Sequence, residues 1–277
     1  MENSQNEPLF AISRVRSMKS STVTRHDHNA YELYYLLDGE RNYFVKDRTY
    51  RIKKGMLVFI GKYDLHSTFD ADSPCHERVL ISFKEDFISD WQPVRDIRLF
   101  DCFQHPCHAV QLGTGEQIQV EDLLSKMISE NNKKGFGYEL CIKTKLIELL
   151  LLLNRHIRQN PSDDFCPYTS QHKKVMEIVN YINNNYSEPQ TLERLAGIFF
   201  LNPGYISRIF KQVTGFNFSK YVNHVRIRES IKLMQETQLS ITRIASQTGF
   251  ESPTHFGRVF KANTGQSPVR FRKGKRA

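Results

Sequence analysis

The sequence lacks the features of secreted, membrane-spanning or disulfide-stabilised proteins. Its five cysteines are odd in number and irregularly spaced, as expected for reduced cytosolic thiols. The run at 149–153, apolar on every side of a helix, is far shorter than the ~20 residues that a bilayer requires. Residues 1–10 are polar and acidic, without the apolar core of a signal peptide. We therefore expect a cytoplasmic protein that does not bind a membrane.

A segment of eight residues near the C-terminus occurs twice. Residues 208–215 (RIFKQVTG) and 258–265 (RVFKANTG) are identical at five positions. Upstream, Leu-x-x-Leu-Ala at 192–196 recurs as Ile-x-x-Ile-Ala at 241–245, so the second copy has one extra residue in its turn. Because two copies are too few for a solenoid, we interpret them as a pair of equivalent modules in one domain.

Each module has residues that begin and end a short second helix. An N-capping residue precedes a proline at 202–203 (Asn-Pro) and at 252–253 (Ser-Pro). The helix then runs to Gly215 or Gly265, which suit a left-handed C-cap. An ordinary helical hairpin is the alternative for one copy, but two capped copies with basic outer faces favour DNA binding. They predict two helix-turn-helix motifs, at 192–213 and 241–263.

Charge is distributed unevenly along the chain. Residues 171–277 hold 17 Lys and Arg against 6 Asp and Glu, a net of +11, whereas residues 1–170 carry a net of −2. A concentrated positive charge is what a phosphate backbone attracts. The sequence therefore indicates a nucleic-acid-binding domain joined to a domain with another role.

The stretch from about 174 to 273 resembles the DNA-binding domain of AraC/XylS-type transcriptional regulators. Departures are mild: Ser230 stands where the family usually has Ala, and Phe271 where it usually has Tyr. The resemblance implies two recognition helices in successive major-groove turns, joined by a long helix at about 219–235. It is carried by Leu195-Ala196, ISRIFK at 206–211, Tyr221-Val222, Arg226-Ile227, Gly249-Phe250, FGRVFK at 256–261, GQSP at 265–268 and Phe271-Arg272.

In that arrangement the exposed, N-terminal part of each second helix meets the groove. Arg208 and Arg258 are the best candidates for reading a base, because a guanidinium can bind guanine O6 and N7 together. Contact with phosphate alone is the alternative. The expected DNA-binding residues are Pro203, Gly204, Ser207, Arg208, Lys211, Gln212, Thr254, His255, Arg258 and Lys261.

The N-terminal half has short apolar runs separated by turn residues. Such runs are typical of a compact barrel or sandwich. The pattern His26-x-His28-(x)3-Glu32, followed by glycines and His66, is similar to the cupin barrel, which many AraC-type regulators use as a sensor. The leading glycine of the usual motif is absent. Strands are predicted at 31–37, 41–46, 49–52, 56–60, 66–69 and 78–83, with Asp38-Gly39 as one turn.

His26, His28 and Glu32 share parity on a strand and are expected to converge with His66. In cupin enzymes this set binds a divalent metal. In regulators with the same barrel, comparable residues more often line a ligand pocket, so we expect no metal and no cofactor. The expected ligand-binding residues are His26, His28, Glu32, Tyr34 and His66, and Tyr34, Tyr43 and Phe44 suit a polar effector such as a sugar.

A second cluster, Cys102-(x)2-His105-x-Cys107-His108, lacks the paired CxxC form of structural zinc sites. We interpret it as a chance occurrence.

Two helices, at 117–131 and 138–158, are predicted between the barrel and the DNA-binding domain. Because the run at 149–153 is apolar on all sides, it must be buried against the core or a partner. In similar regulators this pair forms the dimer interface, and packing on the barrel is the alternative. The expected domains are a cupin-like barrel at 1–116, a helical dimerisation segment at 117–158, a linker at 159–172 and an AraC-type DNA-binding domain at 173–274.

The leading hypothesis is thus an α+β transcriptional regulator, not an enzyme. A cupin-like β-barrel and a helical pair precede an all-α domain with two helix-turn-helix motifs. The expected partners are double-stranded DNA, a small-molecule effector, a second copy of the chain and RNA polymerase. The alternatives are a metal-dependent cupin enzyme with an appended DNA-binding domain, and a constitutive structural DNA-binding protein. The sequence does not distinguish activation from repression.

Overall fold

A computed structural model describes residues 8–18, 24–26, 29–88, 98–160 and 170–273. The strands are β1 (Phe10–Ser17), β2 (Thr24–His26), β3 (Tyr31–Val45), β4 (Arg48–Lys53), β5 (Met56–Ile60), β6 (His66–Asp70), β7 (His76–Phe83) and β8 (Ala109–Gln111). The helices are α1 (Thr114–Lys133), α2 (Tyr138–Gln159), α3 (Ser170–Asn184), α4 (Leu192–Phe199), α5 (Pro203–Thr214), α6 (Phe218–Glu236), α7 (Ile241–Gln247), α8 (Pro253–Thr264) and α9 (Pro268–Lys273). This order confirms the predicted α+β class.

The N-terminal half is built around the long strand β3. Its first part pairs with β7 and β5, and its second part pairs with β4 and β6, always antiparallel. β1 extends the first sheet beyond β7, β8 extends it beyond β5, and β2 extends the second sheet beyond β6. The two sheets share an apolar core that includes Tyr34, Tyr43, Tyr50 and Val58.

The prediction of a turn at Asp38-Gly39 is wrong, because β3 continues through it. The pairing with β7 shifts register between Leu36 and Asp38, which is a bulge. Gly39 has a φ of 85°, and a Cβ there would lie 2.4 Å from the carbonyl oxygen of Cys75. The bulge bends β3 so that one strand serves both sheets.

The prediction that one strand carries His26, His28 and Glu32 is also wrong. β2 ends at His26 and β3 begins at Tyr31, and residues 27–28 lie outside the described part of the chain. The pattern of short apolar runs does not predict β1 or β8.

Helices α1 and α2 pack on the outer face of the first sheet. Their buried side chains, such as Leu124 and Leu150, share one core with Leu33, Tyr35 and Ile81 of the strands. Packing on the barrel therefore accounts for the inner side of the helical pair, and dimerisation through it stays a prediction. No helix within the described ranges is long and apolar enough to cross a membrane.

The C-terminal helices form two cores joined by α6. The first half of α6 packs with α3, α4 and α5, and its second half packs with α7, α8 and α9. Of the predicted linker, Gln159 ends α2 and Ser170 begins α3, while residues 161–169 are not among those described.

The second sheet of the barrel packs directly on the first of these C-terminal cores. Phe44, which is fully buried, makes edge contacts with the rings of Phe216 (6.0 Å between centroids) and Tyr221 (6.2 Å). The prediction that Phe44 lines the effector site is therefore wrong, because its side chain leaves the barrel on the opposite face from Tyr43 and Val45.

Hydroxyl groups reinforce this barrel–helix interface. Thr49 Oγ1 donates to the carbonyl of Val213 at 3.2 Å, and Ser67 Oγ donates to that of Thr214 at 2.6 Å. Both carbonyls lie in the last turn of α5, where a helix leaves acceptors without internal partners. The barrel thus caps the second helix of the first motif. Tyr221 also donates from its hydroxyl to the carbonyl of Lys46 at 3.2 Å.

Candidate functional site

The first helix-turn-helix has the predicted caps. Asn202 Oδ1 accepts hydrogen bonds from the backbone N–H groups of Gly204 (2.8 Å) and Tyr205 (3.3 Å), with Pro203 at the first helical position. α5 ends at Gly215, which has a φ of 77°. These contacts satisfy donors and acceptors that the helix cannot satisfy itself.

The second motif repeats this design. Ser252 Oγ accepts from the backbone N–H of His255 at 3.4 Å, and α8 ends at Gly265 with a φ of 73°. Phe256 and Phe260 are fully buried beneath the helix. The opposite side of α8 is left to the solvent.

The outer faces of α5 and α8 are solvent-exposed, as DNA contact requires. Arg208 is exposed, and its guanidinium carbon lies 5.5 Å from the ring centroid of Tyr205. The sequence does not predict this contact. Contact of these residues with DNA remains a prediction. Gly204, Ser207, Arg208, Lys211, Gln212, Thr254, Arg258 and Lys261 are exposed, and Pro203 and His255 are partly buried.

Arg226 of α6 links the two motifs. Its Nε donates to the carbonyl of Tyr186 at 2.9 Å and its Nη2 to that of Glu188 at 2.9 Å, both in the loop before α4. Its guanidinium carbon also lies 5.8 Å from the ring centroid of Phe250, in the turn of the second motif. One side chain therefore holds parts of both motifs, which favours a fixed relative position of the recognition helices.

Gly249 allows the same two parts to approach closely. It has a φ of 83°, and a Cβ there would lie 2.7 Å from the carbonyl oxygen of Ser187 and 2.9 Å from that of Tyr186. Ser230, which stands where the family usually has Ala, lies in the same region. Its Oγ donates a hydrogen bond to Thr248 Oγ1 at 3.0 Å, in the buried contact between α6 and the end of α7. A hydroxyl at this position therefore gains a buried partner.

Arg258→Ala is expected to weaken binding to the preferred operator by about 1–3 kcal/mol and to relax preference at one base position. The reason is the loss of a two-bond contact to a base edge. Lys261→Ala, on the same exposed face, should weaken all DNA sequences alike because its contact is to phosphate. Anisotropy titrations would compare an operator selected from a random duplex pool with unselected DNA. Equal loss on both DNAs for Arg258→Ala would assign that residue to phosphate contact.

Inside the barrel, Glu32 and His66 come together as predicted. Glu32 Oε2 lies 3.3 Å from His66 Nε2, and both side chains are buried. His66 Nδ1 is 2.8 Å from the carbonyl oxygen of Asp64, which fixes the ring. The β2–β6 register places the backbone of His26 opposite His66, but His28 lies outside the described residues. The pair is thus a buried, oriented acid–imidazole contact.

Tyr34 and Tyr43 extend this site along the barrel interior. Their ring centroids are 5.0 Å apart, and Tyr43 stacks near His66 at 6.4 Å. Burial raises the pKa of Tyr34 to about 12, an effect that Arg41 and Arg78 oppose, so its phenol is neutral at physiological pH. Sequence analysis does not identify the two arginines, although alternation along β3 and β7 places both on the inner face.

The described part of the chain contains no group of three His, Cys, Asp or Glu arranged to hold a metal ion. In the second cluster, Cys102 Sγ contacts the carbonyl of Leu99 and Cys107 Sγ that of Ala109. Burial lowers the pKa of His108 to about 4, which keeps its imidazole neutral. These side chains have separate structural contacts.

Comparisons with known proteins match both halves of the chain. A family model described as an AraC-like ligand binding domain matches residues 7–128, and a helix-turn-helix domain model matches residues 195–274. An uncharacterized HTH-type transcriptional regulator of Bacillus subtilis, YfiF, is 28% identical, covering 89% of this chain and 78% of its own. The HTH-type transcriptional activator RhaR of Escherichia coli is 26% identical, covering 95% and 91%. A crystal structure of ToxT from Vibrio cholerae is 16% identical, covers 96% of this chain and 97% of that chain, and has a TM-score of 0.37.

Proposed function

Because the chain belongs to the AraC family of helix-turn-helix transcriptional regulators, we propose that its barrel binds a small sugar-like effector that controls operator binding. The effector lies among Glu32, Tyr34, Tyr43 and His66, with His26 and His28 as further candidates. The protein acts without enzymatic turnover, in the bacterial cytoplasm where its promoter DNA is found.

The observation that carries this proposal concerns the second sheet, formed by β4, β6 and the second part of β3. One face of this sheet, which we call the barrel wall, lines the barrel interior, and its other face packs on the first DNA-binding motif. On β6, His66 faces Glu32 inside the barrel, and the next residue, Ser67, bonds the last turn of α5 outside it. On β3, Tyr43 faces inward and Phe44 packs on α6. A displacement of either strand by an effector therefore changes contacts on both sides of the same sheet.

This arrangement gives the effector a direct route to the DNA-binding domain. An effector shifts the equilibrium only if it binds one arrangement of the barrel–helix interface more tightly than another. Linkage then requires that operator DNA change the effector affinity by the same factor. The interface contacts at Thr49 and Ser67 are the bonds whose geometry differs between the two arrangements.

We further propose that the regulator is a homodimer that acts on transcription through contact with RNA polymerase. The exposed side of the α1–α2 pair supports the first part, since Ile118 and Leu140 are 67% and 65% exposed. A groove of about 480 Å³ between the helices, lined partly by Leu151 and Leu152, adds apolar surface beside them. A second copy of the chain would cover this surface.

The test combines effector binding with DNA binding on the full-length protein. A panel of monosaccharides and sugar acids is screened for a rise in the unfolding midpoint, because a ligand that binds only the folded state must raise it. Each hit is then added to an operator titration. We expect Glu32→Gln and His66→Asn to abolish the effector-induced change in operator affinity while leaving the affinity without effector near normal.

Glu40→Gln is the matched control, because Glu40 lies on the same strand but pairs with Arg51 at the barrel surface. This variant should respond as the wild type does. A full response from both interior variants, with unchanged effector affinity, would contradict the proposed site and direct attention to the α1–α2 groove.

A further inference from the structure

The inner face of the barrel holds more charge than the effector site described above. Alternation along β3 places Arg41 on the same side as Tyr43, and the β3–β6 register sets Arg41 opposite Asp70 and Tyr43 opposite Thr68. On β7, Arg78 lies opposite Leu36, whose side chain belongs to the interior core. Two guanidinium groups therefore face the interior.

Arg41 has its charge balanced within the barrel. The side chain is 1% exposed, its Nη1 forms an ion pair with Asp70, and its Nε donates to Thr68 Oγ1 at 3.3 Å. A buried guanidinium with a carboxylate and a hydroxyl as partners has a structural role, because removal of the cation would leave the carboxylate unbalanced.

Among the described residues, no carboxylate pairs with Arg78. Its guanidinium carbon lies 5.5 Å from the ring centroid of Tyr34, and its Nη1 is buried with no hydrogen-bond partner in the described structure. The Tyr34 hydroxyl is likewise buried with no acceptor for its proton among the described residues, although the side chains of Thr68 and Arg41 lie close enough to donate to its oxygen, which acts to lower the pKa of Tyr34. A buried donor that forms no hydrogen bond costs free energy, and native proteins keep few such donors. Two adjacent donors of this kind favour a ligand that brings an acceptor to them.

The side chains between Arg78 and Glu32 form a row whose two ends carry opposite charges. From Arg78 the aromatic rings of Tyr34 and Tyr43 lead to His66 and then to Glu32, so the interior is cationic at one end and acidic at the other. A molecule that fits this row has an anionic group at the Arg78 end. At the Glu32 end it has hydroxyl groups, which donate to a carboxylate and exchange hydrogen bonds with an imidazole.

We propose that the effector is a small hydroxylated carboxylic acid, a sugar acid, whose carboxylate is bound by Arg78 and the Tyr34 hydroxyl. This inference rests on the proposed function and specifies its ligand class. A carboxylate is favoured over a phosphate because Arg78 offers one positive charge that no carboxylate of the described residues pairs with, which matches a monoanion. The planar guanidinium and the neutral phenol supply the donors that a carboxylate accepts.

The first test needs no ligand. Arg78→Met in the ligand-free protein should raise the unfolding midpoint by about 2–4 °C, because it removes a buried donor that has no acceptor among the described residues. Arg41→Met is the matched comparison and should lower the midpoint, since it breaks the pair with Asp70. If Arg78→Met lowers the midpoint as Arg41→Met does, the side chain is structural and the inference is overturned.

The second test measures binding of defined probes to the full-length protein by calorimetry. The probes are D-galacturonate, D-glucuronate and D-gluconate, with D-galactose, D-glucose and glucose 6-phosphate as comparisons. At least one acid should bind, and its neutral counterpart should bind at least about tenfold more weakly. Arg78→Met should weaken binding of the acid by roughly 10–100-fold, and Tyr34→Phe should weaken it by about tenfold. Glu40→Gln should bind the acid as tightly as the wild type does.

Three results would overturn the inference: no acid binds, a neutral sugar binds as tightly as its acid with Arg78→Met unaffected, or the phosphate binds more tightly than the acids. The second of these leaves the proposed regulator intact with a neutral effector. Failure of the proposed function has a different signature, in which a bound probe does not change operator affinity and Glu32→Gln has no effect.

Discussion

Gly249→Ala is expected to reduce affinity for the full operator by at least about tenfold, a loss of about 1.4 kcal/mol or more. An L-residue in this left-handed conformation costs roughly 1–2 kcal/mol. The added Cβ would also lie within 2.9 Å of two backbone oxygens, those of Tyr186 and Ser187, so the loop before α4 must move. That loop accepts both hydrogen bonds of Arg226, and its movement frees one recognition helix from the other.

The measurement that isolates this effect is the ratio of affinities for a full operator and for a single half-site. The ratio should fall in Gly249→Ala, because each motif alone keeps its own caps and core. Gly197→Ala is the control: Gly197 lies in α4, where an added Cβ would meet no atom of the described residues within 4 Å apart from the neighbouring backbone of its own helix. It should be neutral or stabilising by up to about 1 kcal/mol. An unchanged ratio in Gly249→Ala would mean that the motifs do not depend on this contact for their relative position.

Phe44→Ala is expected to release the barrel from the DNA-binding domain. Truncation of a fully buried phenylalanine costs about 3–5 kcal/mol, and here that loss falls on the contact with Phe216 and Tyr221. Calorimetry should resolve two unfolding transitions in the variant where the wild type unfolds as one unit. Operator affinity should persist, and the effector should no longer change it.

Val45→Ala is the matched control for this experiment. Val45 is the next residue on β3, is equally buried, and faces the barrel interior. Its truncation should lower barrel stability without separating the two transitions. A single transition and a full effector response in Phe44→Ala would contradict a coupling role for the interface.

The helix-turn-helix motifs were predictable because their determinants are local. Asn202 and Gly215 cap α5 through hydrogen bonds to residues at most four positions away, and Pro203 occupies the first helical position. The same reasoning failed at Asp38-Gly39, where the conformation depends on the approach of Cys75 from a distant strand. Dipeptide composition carries no information about that approach.

The inner and outer faces of the barrel wall were harder to assign. Residues 43–45 are all buried, so the alternation of polar and apolar residues that normally identifies a core face is absent. Phe44 therefore resembled its neighbour Tyr43 although it packs on a different domain. The sequence does not predict that Arg41 and Arg78 share the barrel interior for a related reason. Only the pairing register of β3, β6 and β7 brings the two side chains together.

The capping of α5 by Thr49 and Ser67 constrains how sensors can be exchanged between regulators. A chimaera that grafts an unrelated barrel onto this DNA-binding domain would leave the carbonyls of Val213 and Thr214 without acceptable donors, unless the new barrel supplied hydroxyl groups at the same two places. Successful recombination would therefore have to transfer these two side chains with the recognition helix that they cap. A sensor with the right ligand but the wrong outer wall would yield a regulator that binds its effector and ignores it.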